Sequence, residues 1–309
     1  MIFIKEDIIK ISADNKEDIM VKSVAIIPAY NEEVALGSVV LRTLQYVDRV
    51  IVVDDGSSDK TSQIAKLAGA EVIIHPSNLG KGQGLKSGFQ SIDDEEVIVV
   101  IDGDGQNNPD EIPNLMTPII KEDIDFVNGS RYINVNAVDD TPAYRRVGQK
   151  VLDKATNISS GLAITDSQSG FRAFSKKAIP YFKMRDSGFG IESEMLSDAS
   201  ENGLKIVEVP ISVRYDVDGS TKNPVSHGVK VLLTIIKDME LRRPLIYFTL
   251  PGFIIFSIGT ISGIWFLNDY INGTSVNFGP TVIAIMFFVF GLFLMLNGIL
   301  LDSIRKLIK

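Results

Sequence analysis

Residues 97–106 read Val97-Ile98-Val99-Val100-Ile101-Asp102-Gly103-Asp104-Gly105-Gln106. An unbroken run of β-branched residues suits a strand buried on both faces. The abrupt change to Asp and Gly ends that strand in a turn. Working outward, similar short runs recur at Val24–Ile27, Val50–Val53, Val72–Ile74, Phe126–Val127 and Ile206–Val209, with helical patterns between them. This alternation predicts an α/β domain with a largely parallel sheet. Ligands in such sheets bind beyond the carboxyl ends of the strands. The polar clusters fall at those ends: Pro28-Ala29-Tyr30-Asn31-Glu32, Asp54-Asp55-Gly56-Ser57 and Asp102-Gly103-Asp104-Gly105-Gln106.

The chain has 309 residues, 45% of them hydrophobic, and a net charge of -8. That is enough apolar material for a real core. The acidic balance argues against general nucleic-acid binding, which relies on a basic surface. There is no cysteine, and His75 and His227 are the only histidines. Cys-ligated zinc is thereby excluded, and any bound metal is expected to be hard and oxygen-ligated, Mg²⁺ or Mn²⁺.

Asp102 and Asp104, one residue apart at a strand end, could hold such an ion against diphosphate oxygens, with Gln106 as a neutral ligand. A solvated acidic turn is the competing reading of those residues alone. Asp54, Asp55 and Glu32 suit a base edge or ribose hydroxyls, and Tyr30 offers a ring for stacking. Gly80-Lys81-Gly82-Gln83-Gly84 fails both phosphate-loop templates: Gly82 stands where a Walker loop needs Ser or Thr, and Ser87 where the dinucleotide fingerprint needs Gly. Lys81 is expected in a turn over the nucleotide.

These segments, followed by Gly129-Ser130-Arg131-Tyr132 and Ser169-Gly170-Phe171-Arg172, occur in the order seen in family 2 glycosyltransferases. The chain most closely resembles the polyprenyl (dolichyl) phosphate hexose synthases, over about residues 24–222. The resemblance implies a GT-A fold, a UDP- or GDP-sugar donor and an inverting transfer to a polyprenyl phosphate. It maps nucleoside binding to Pro28, Tyr30, Glu32, Val53 and Asp55, and metal and diphosphate binding to Asp102, Asp104 and Gln106, with Gly103 and Lys81 also expected against the nucleotide-sugar. Acceptor binding falls to Arg131, Arg145 and Arg146. Lys222 matches the Lys of a Gly-x-Ser-Lys segment near the diphosphate. One departure stands out: where the family has an Arg three residues before that glycine, this chain has Asp216, and Arg214 is the nearest substitute. The expected catalytic set is Asp102, Asp104, Arg131 and Arg214.

The C-terminal region differs in kind. No charged residue occurs from Pro244 to Asn268 or from Tyr270 to Leu301. Each run is long enough to cross a bilayer, which predicts transmembrane helices at about 245–267 and 279–301. Lys237, Arg242, Arg243, Arg305, Lys306 and Lys309 flank the spans, and the connecting loop has no Lys or Arg. Both termini and the α/β domain are therefore expected on the cytoplasmic side. Asn272-Gly273-Thr274 in that loop matches a glycosylation acceptor by chance, lying too near the membrane.

The expected organisation is an N-terminal extension (1–22), a GT-A domain (23–222), an amphipathic interfacial helix (223–243) and a two-helix membrane anchor (244–309). Two alternatives remain open on the sequence. One is a family 2 enzyme acting on a hydroxyl acceptor, with Glu192 or Glu194 as base; the other is a non-catalytic nucleotide-binding membrane adaptor. Polymer synthesis is disfavoured because the Gln-x-x-Arg-Trp motif of processive synthases is missing: the only Trp is Trp265, inside the first span.

Overall fold

The computed structural model describes residues 21–133, 143–185, 190–214, 244–273 and 278–308. The chain divides into two compact units between Ile235 and Ile236. Within the first, the described residues form one sheet from β1 (Ser23–Ala29), β2 (Arg49–Asp54), β3 (Glu71–Ile74), β4 (Val97–Val100), β5 (Phe126–Ser130), β6 (Arg172–Ser175) and β7 (Ile206–Pro210). The order is β3-β2-β1-β4-β6-β5-β7. All neighbours are parallel except β6, which runs antiparallel to both β4 and β5. The expected α/β sheet is therefore present, with one strand that the pattern of β-branched runs did not reveal.

Helices α1 (Leu36–Thr43), α2 (Thr61–Leu67), α3 (Lys81–Gln90), α4 (Ile112–Glu122), α5 (Ala143–Ser160) and α6 (Ile191–Glu201) surround it. Alternate residues of the central strands feed two cores, as the two-residue period of a strand requires. Ala25, Ile27 and Val52 pack with Leu36, Val39 and Val40 of α1, Ala65 of α2 and Leu115 of α4. Val24, Ile26, Ile51 and Val53 pack with Leu85 and Phe89 of α3 and Met195 and Leu196 of α6. Full burial of each large aliphatic side chain here contributes about 1.5–3 kcal/mol. Gly88 of α3 lies directly against the sheet, where a Cβ would overlap the Ile26 side chain. β6 is held by its aromatic residue: Phe174 packs at 4.6 Å from Phe126 and 5.1 Å from Phe182 between ring centroids.

The second unit contains a π-helical turn (Leu245–Thr249) leading into α7 (Leu250–Ile271), and α8 (Phe278–Ile308). Leu245–Ile271 and Phe278–Ile304 are each 27 residues of high hydropathy. At 1.5 Å per residue each measures about 40 Å, beyond the ~30 Å of bilayer hydrocarbon. The two helices pack closely on each other through small residues. Small residues lie between them, and a Cβ on Gly252 or Gly291 would come within 2.6 Å of the opposing backbone at Met295 or Phe256. Large apolar side chains face outward instead, Trp265 being 65% and Phe293 62% exposed. Both helices match the expected spans and extend a few residues beyond them.

Candidate active site

The loop after β1 and the loop after β2 are stitched together before any ligand is considered. Asn31 adopts the left-handed region (φ 57°), which Asn tolerates better than most side chains. From there its N–H donates to Ser57 Oγ at 2.9 Å, and its side-chain oxygen accepts from Ser58 N–H at 2.9 Å. Glu32 N–H donates to Thr61 Oγ1 at 2.9 Å, and Glu33 accepts from Lys60 N–H at 2.9 Å. Tyr30 is left 45% exposed on this lip, as a stacking surface needs to be.

Asp55, expected on a base edge, is held by the protein itself. Its carboxylate accepts from the N–H groups of Leu79 (2.9 Å) and Gly80 (2.7 Å) and lies 2.7 Å from His75 Nδ1. It therefore organises the turn into α3. The Val53 side chain is fully buried in the core beneath α3. Pro28 lies beside it, partly buried at the end of β1.

Lys81 is corrected more sharply. It does not hang in a turn; it is the first residue of α3, and its ammonium bridges Asp102 Oδ1 at 2.6 Å and Glu192 Oε1 at 2.7 Å. Burial alone would lower its pKa, but the two carboxylates overcome this and hold it above the usual lysine value. Glu192, on the first turn of α6, keeps Oε2 buried without a hydrogen-bond partner. Glu194 has both oxygens on Arg185 N–H, at 3.0 and 3.1 Å.

Glu32, Asp102 and Asp104 form an acidic cluster with Lys81 beside it. Burial, then the Asp102 charge, pushes the Asp104 carboxyl up to about 6. Burial, then Asp104 and Asp102, pushes Glu32 up to about 7. Like charges crowded in a poorly hydrated place resist ionisation, so this edge carries more negative charge than its surroundings neutralise. A divalent cation would relieve that excess. Among the described residues no three His, Asp or Glu side chains converge as a complete protein cage. Two carboxylates completed by diphosphate oxygens is the arrangement Mg²⁺ usually adopts, so the donor set fits. The backbone supports it: Gln106 N–H donates to Asp104 Oδ1 at 3.0 Å across a turn in which Gly105 has φ 75°. Gly103 packs toward Leu36 and Ile27, and Gly170 approaches so closely that a Cβ there would lie within 2.7 Å of Asp102 Cγ.

The remaining expected residues flank this cluster. Arg131, at the end of β5, makes a two-pronged pair with Asp166 (Nε–Oδ2 2.6 Å, Nη2–Oδ1 2.7 Å). Asp166 is fully buried and was not singled out from sequence, because an isolated Asp before Ser169-Gly170 gives no spacing signal. Arg172 is also buried, bonded to the carbonyls of Glu192 (2.8 Å) and Ser167 (2.9 Å), and burial lowers its pKa to about 10. Arg214 N–H donates to Gln106 O at 2.9 Å, beside a bridge between Asn107 and Val213. The substitute arginine is thus attached to the acidic turn itself. Arg145 and Arg146 lie in the first turn of α5. The Arg145 side chain, Lys222, Asp216 and the expected 223–243 helix lie outside the described residues.

Residues 24–182 match the family model for glycosyl transferase family 2. The chain belongs to that family. It is therefore a glycosyltransferase. Among its relatives, a UDP-N-acetylglucosamine–dolichyl-phosphate N-acetylglucosaminyltransferase of Methanococcus voltae is 36% identical over 233 residues, covering 67% of this chain and 90% of the relative. A glycosyltransferase of Haloferax volcanii, AglJ, is 28% identical over 286 residues, covering 91% and 92%. In fold, the glucosyl-3-phosphoglycerate synthase of Mycobacterium tuberculosis, solved with Mn²⁺, UDP and phosphoglyceric acid, aligns with a TM-score of 0.57 at 22% identity, over 72% of this chain and 78% of that one. The GT-A fold expected from the motifs is confirmed by this likeness.

Proposed function

We propose that this glycosyltransferase takes a sugar from a UDP- or GDP-sugar and transfers it, with inversion, to a polyprenyl (dolichyl) phosphate at the cytoplasmic face of the membrane. Tyr30, Glu32 and the lip that Asp55 shapes would receive the nucleoside. Asp102 and Asp104, with Gln106, would hold Mg²⁺ or Mn²⁺. The ion supplies Lewis-acid stabilisation of the leaving diphosphate. Lys81 holds a fixed positive charge beside the acidic cluster, Arg214 and Lys222 would supply further cations for the diphosphate, and Arg131, Arg145 and Arg146 would hold the acceptor.

The observation that carries the phosphate acceptor is how the nearby carboxylates are engaged. A hydroxyl acceptor needs a positioned general base. Glu194 is committed to Arg185 N–H, and Glu192 is neutralised by Lys81. A phosphate monoester is already anionic and needs cations rather than a base. A dolichyl-phosphate acceptor is also what the name of the Methanococcus relative prints. The unpartnered Oε2 of Glu192 favours a second reading, in which that oxygen takes a proton from a hydroxyl acceptor.

Membranes carrying the full chain are incubated with labelled UDP- and GDP-sugars and polyprenyl phosphate, and the lipid is extracted. The expected product is an alkali-stable, mild-acid-labile glycosyl phosphate lipid. A product without phosphate, formed only while Glu192 is intact, would establish the hydroxyl reading instead.

A further inference from the structure

The acidic edge carries a cation of the protein's own. Lys81 begins α3, and its ammonium lies 2.6 Å from Asp102 Oδ1 and 2.7 Å from Glu192 Oε1. The Lys81 side chain is 13% exposed and that of Glu192 6%, so the bridge is largely out of water. Asp102 has its other oxygen against backbone, since a Cβ on Gly170 would overlap Oδ2. The two carboxylates expected to hold a divalent ion are therefore held in different ways. Asp104 is set by the N–H of Gln106, at 3.0 Å. Asp102 is set by an ammonium at the end of a flexible four-carbon stem.

A divalent ion and an ammonium on one carboxylate oxygen repel each other strongly in a site so poorly hydrated. Sharing Asp102 Oδ1 is thus unfavourable for both. Glu192 offers Lys81 a second hold that no ion needs. Its Oε1 already accepts the ammonium, and the adjacent Oε2 is buried without a hydrogen-bond partner. A buried acceptor left unpaired costs the folded state free energy. An ammonium that leaves Asp102 and turns toward Oε2 relieves that cost and keeps its charge in the site.

We propose that Lys81 is a placeholder for the divalent ion. Before the donor binds it holds Asp102 Oδ1, and it yields that oxygen to the ion when the donor diphosphate arrives, pivoting on Glu192. The inference deepens the metal and donor reading above and rests on it. The diphosphate drives the exchange because it brings oxygen ligands to the ion and negative charge toward the released ammonium. Binding of ion and donor is then coupled through one side chain. The ion alone has to displace Lys81 and binds weakly; the ion with the nucleotide binds tightly. By linkage the nucleotide gains from the ion by the same factor.

Mn²⁺ binding to the full chain in detergent, read by electron paramagnetic resonance with and without saturating UDP or GDP, tests the coupling without any turnover. Lys81→Met removes the competing ammonium. Mn²⁺ alone should then bind about tenfold more tightly than to the parent, the equivalent of one charge-assisted hydrogen bond. The further gain produced by the nucleotide should shrink by about the same factor. Chelation of Mn²⁺ by the nucleotide itself is common to both proteins and cancels in that ratio. Lys81→Met leaves Glu192 charged and buried, so the double variant Lys81→Met/Glu192→Gln, which removes both charges, is measured beside it and should show the same tightening. A structure of the parent with Mn²⁺ and UDP or GDP reads the exchange directly: the Lys81 ammonium should lie beyond about 4 Å from Asp102, outside ion-pair distance, and within hydrogen-bond distance of Glu192. Lys81 still on Asp102 Oδ1 with the ion bound overturns the proposal. So does Mn²⁺ alone binding the double variant no more tightly than the parent. Parent protein that binds no Mn²⁺ with either nucleotide, or Asp104→Ala that binds it unchanged, would overturn the metal reading instead.

Discussion

The two sides of the active-site edge are finished to different degrees. On the side of β1, β2 and β4, Glu32, Asp102 and Asp104 crowd together and two of the three carboxyls are pushed up to about 7 and 6. On the side of β5, β6 and β7 the charged groups are tied to protein partners. Arg131 is chelated by Asp166, and Asn128 donates to Glu208 at 3.0 Å while Glu208 also accepts from Thr165 N–H at 2.8 Å. Charge left uncompensated in a folded site marks a place that a ligand completes. Charge compensated by protein marks a rigid platform. On the proposed function, donor and metal belong to the first side and positioning of the acceptor to the second.

Removing the unfinished charge should break function without breaking the fold. Asp104→Ala is expected to lower transfer by about 10²-fold or more, the usual cost of losing stabilisation of a developing anionic charge. Thermal stability of the ligand-free protein should stay level or rise, because a carboxyl held up to about 6 by burial and a like charge costs the folded state at neutral pH. Near-normal turnover at saturating Mg²⁺ or Mn²⁺ would remove Asp104 from the metal site.

A gentler change reaches the same carboxylates from the opposite side. A methyl group at Gly170 would overlap Asp102, so Gly170→Ala should push that carboxylate off Lys81 and out of line with Asp104. The expected result is a loss of roughly tenfold to 10²-fold in turnover, since small misplacements at a reacting centre have effects of that order. The apparent affinity for the metal ion should weaken in parallel. Unchanged metal dependence with reduced stability would mean that Gly170 matters only for packing.

The finished side should respond in the reverse manner, with stability falling more than chemistry. Asp166→Asn leaves Arg131 without its carboxylate in a buried position. Breaking such a pair costs about 3 kcal/mol, or roughly 6–12 °C in Tm for a domain of this size. Activity at saturating acceptor should survive within about tenfold while the acceptor KM rises, because Arg131 would lose its orientation and keep its charge. A fall in kcat with unchanged KM would place Arg131 on the donor side and erase the distinction between the two edges.

The donor side was legible in the sequence because its signals are local. β-branched runs end in Asp and Gly, and the motifs at 28–32, 54–57 and 102–106 each fit within a few residues. The platform was much less legible. β6, Arg172–Ser175, is short, contains no β-branched residue and is antiparallel. It exists because Phe174 packs on Phe126 and Phe182. The partnerships of Arg131 with Asp166 and of Lys81 with Glu192 span 35 and 111 positions, so no spacing rule can see them. Asp55 shows a different limit: its motif is clear, but the turn its carboxylate holds, at Leu79 and Gly80, lies 24 and 25 positions away. The two long apolar helices were legible from length and lack of charge, whereas the glycines that pack them had no reading until both helices were side by side.

Burial still perturbs Asp153 on the finished side, and this group gives the smallest expected effect. Asp153 lies on the inward face of α5, where burial, together with the Asp166 charge, pushes its carboxyl up to about 6 despite the bonds from Ser167 and Gln149. A carboxyl with a raised folded pKa favours the folded state fully only below its unfolded value near 3.8. That contribution is lost as pH rises through about 6 and is gone above it. The shift of about two units corresponds to about 2–3 kcal/mol. Asp153→Asn stays neutral at all these pH values, and its side-chain oxygen can still accept from Ser167. The variant should therefore match or fall slightly below the parent in stability near pH 4.5 and exceed it near pH 7.5, with the Tm difference changing sign in between. Calorimetry on the full chain across that range reads the crossing directly. A Tm difference independent of pH would show that Asp153 ionises in the folded protein as it does in the unfolded chain. The second side would then be as fully compensated as its hydrogen bonds suggest.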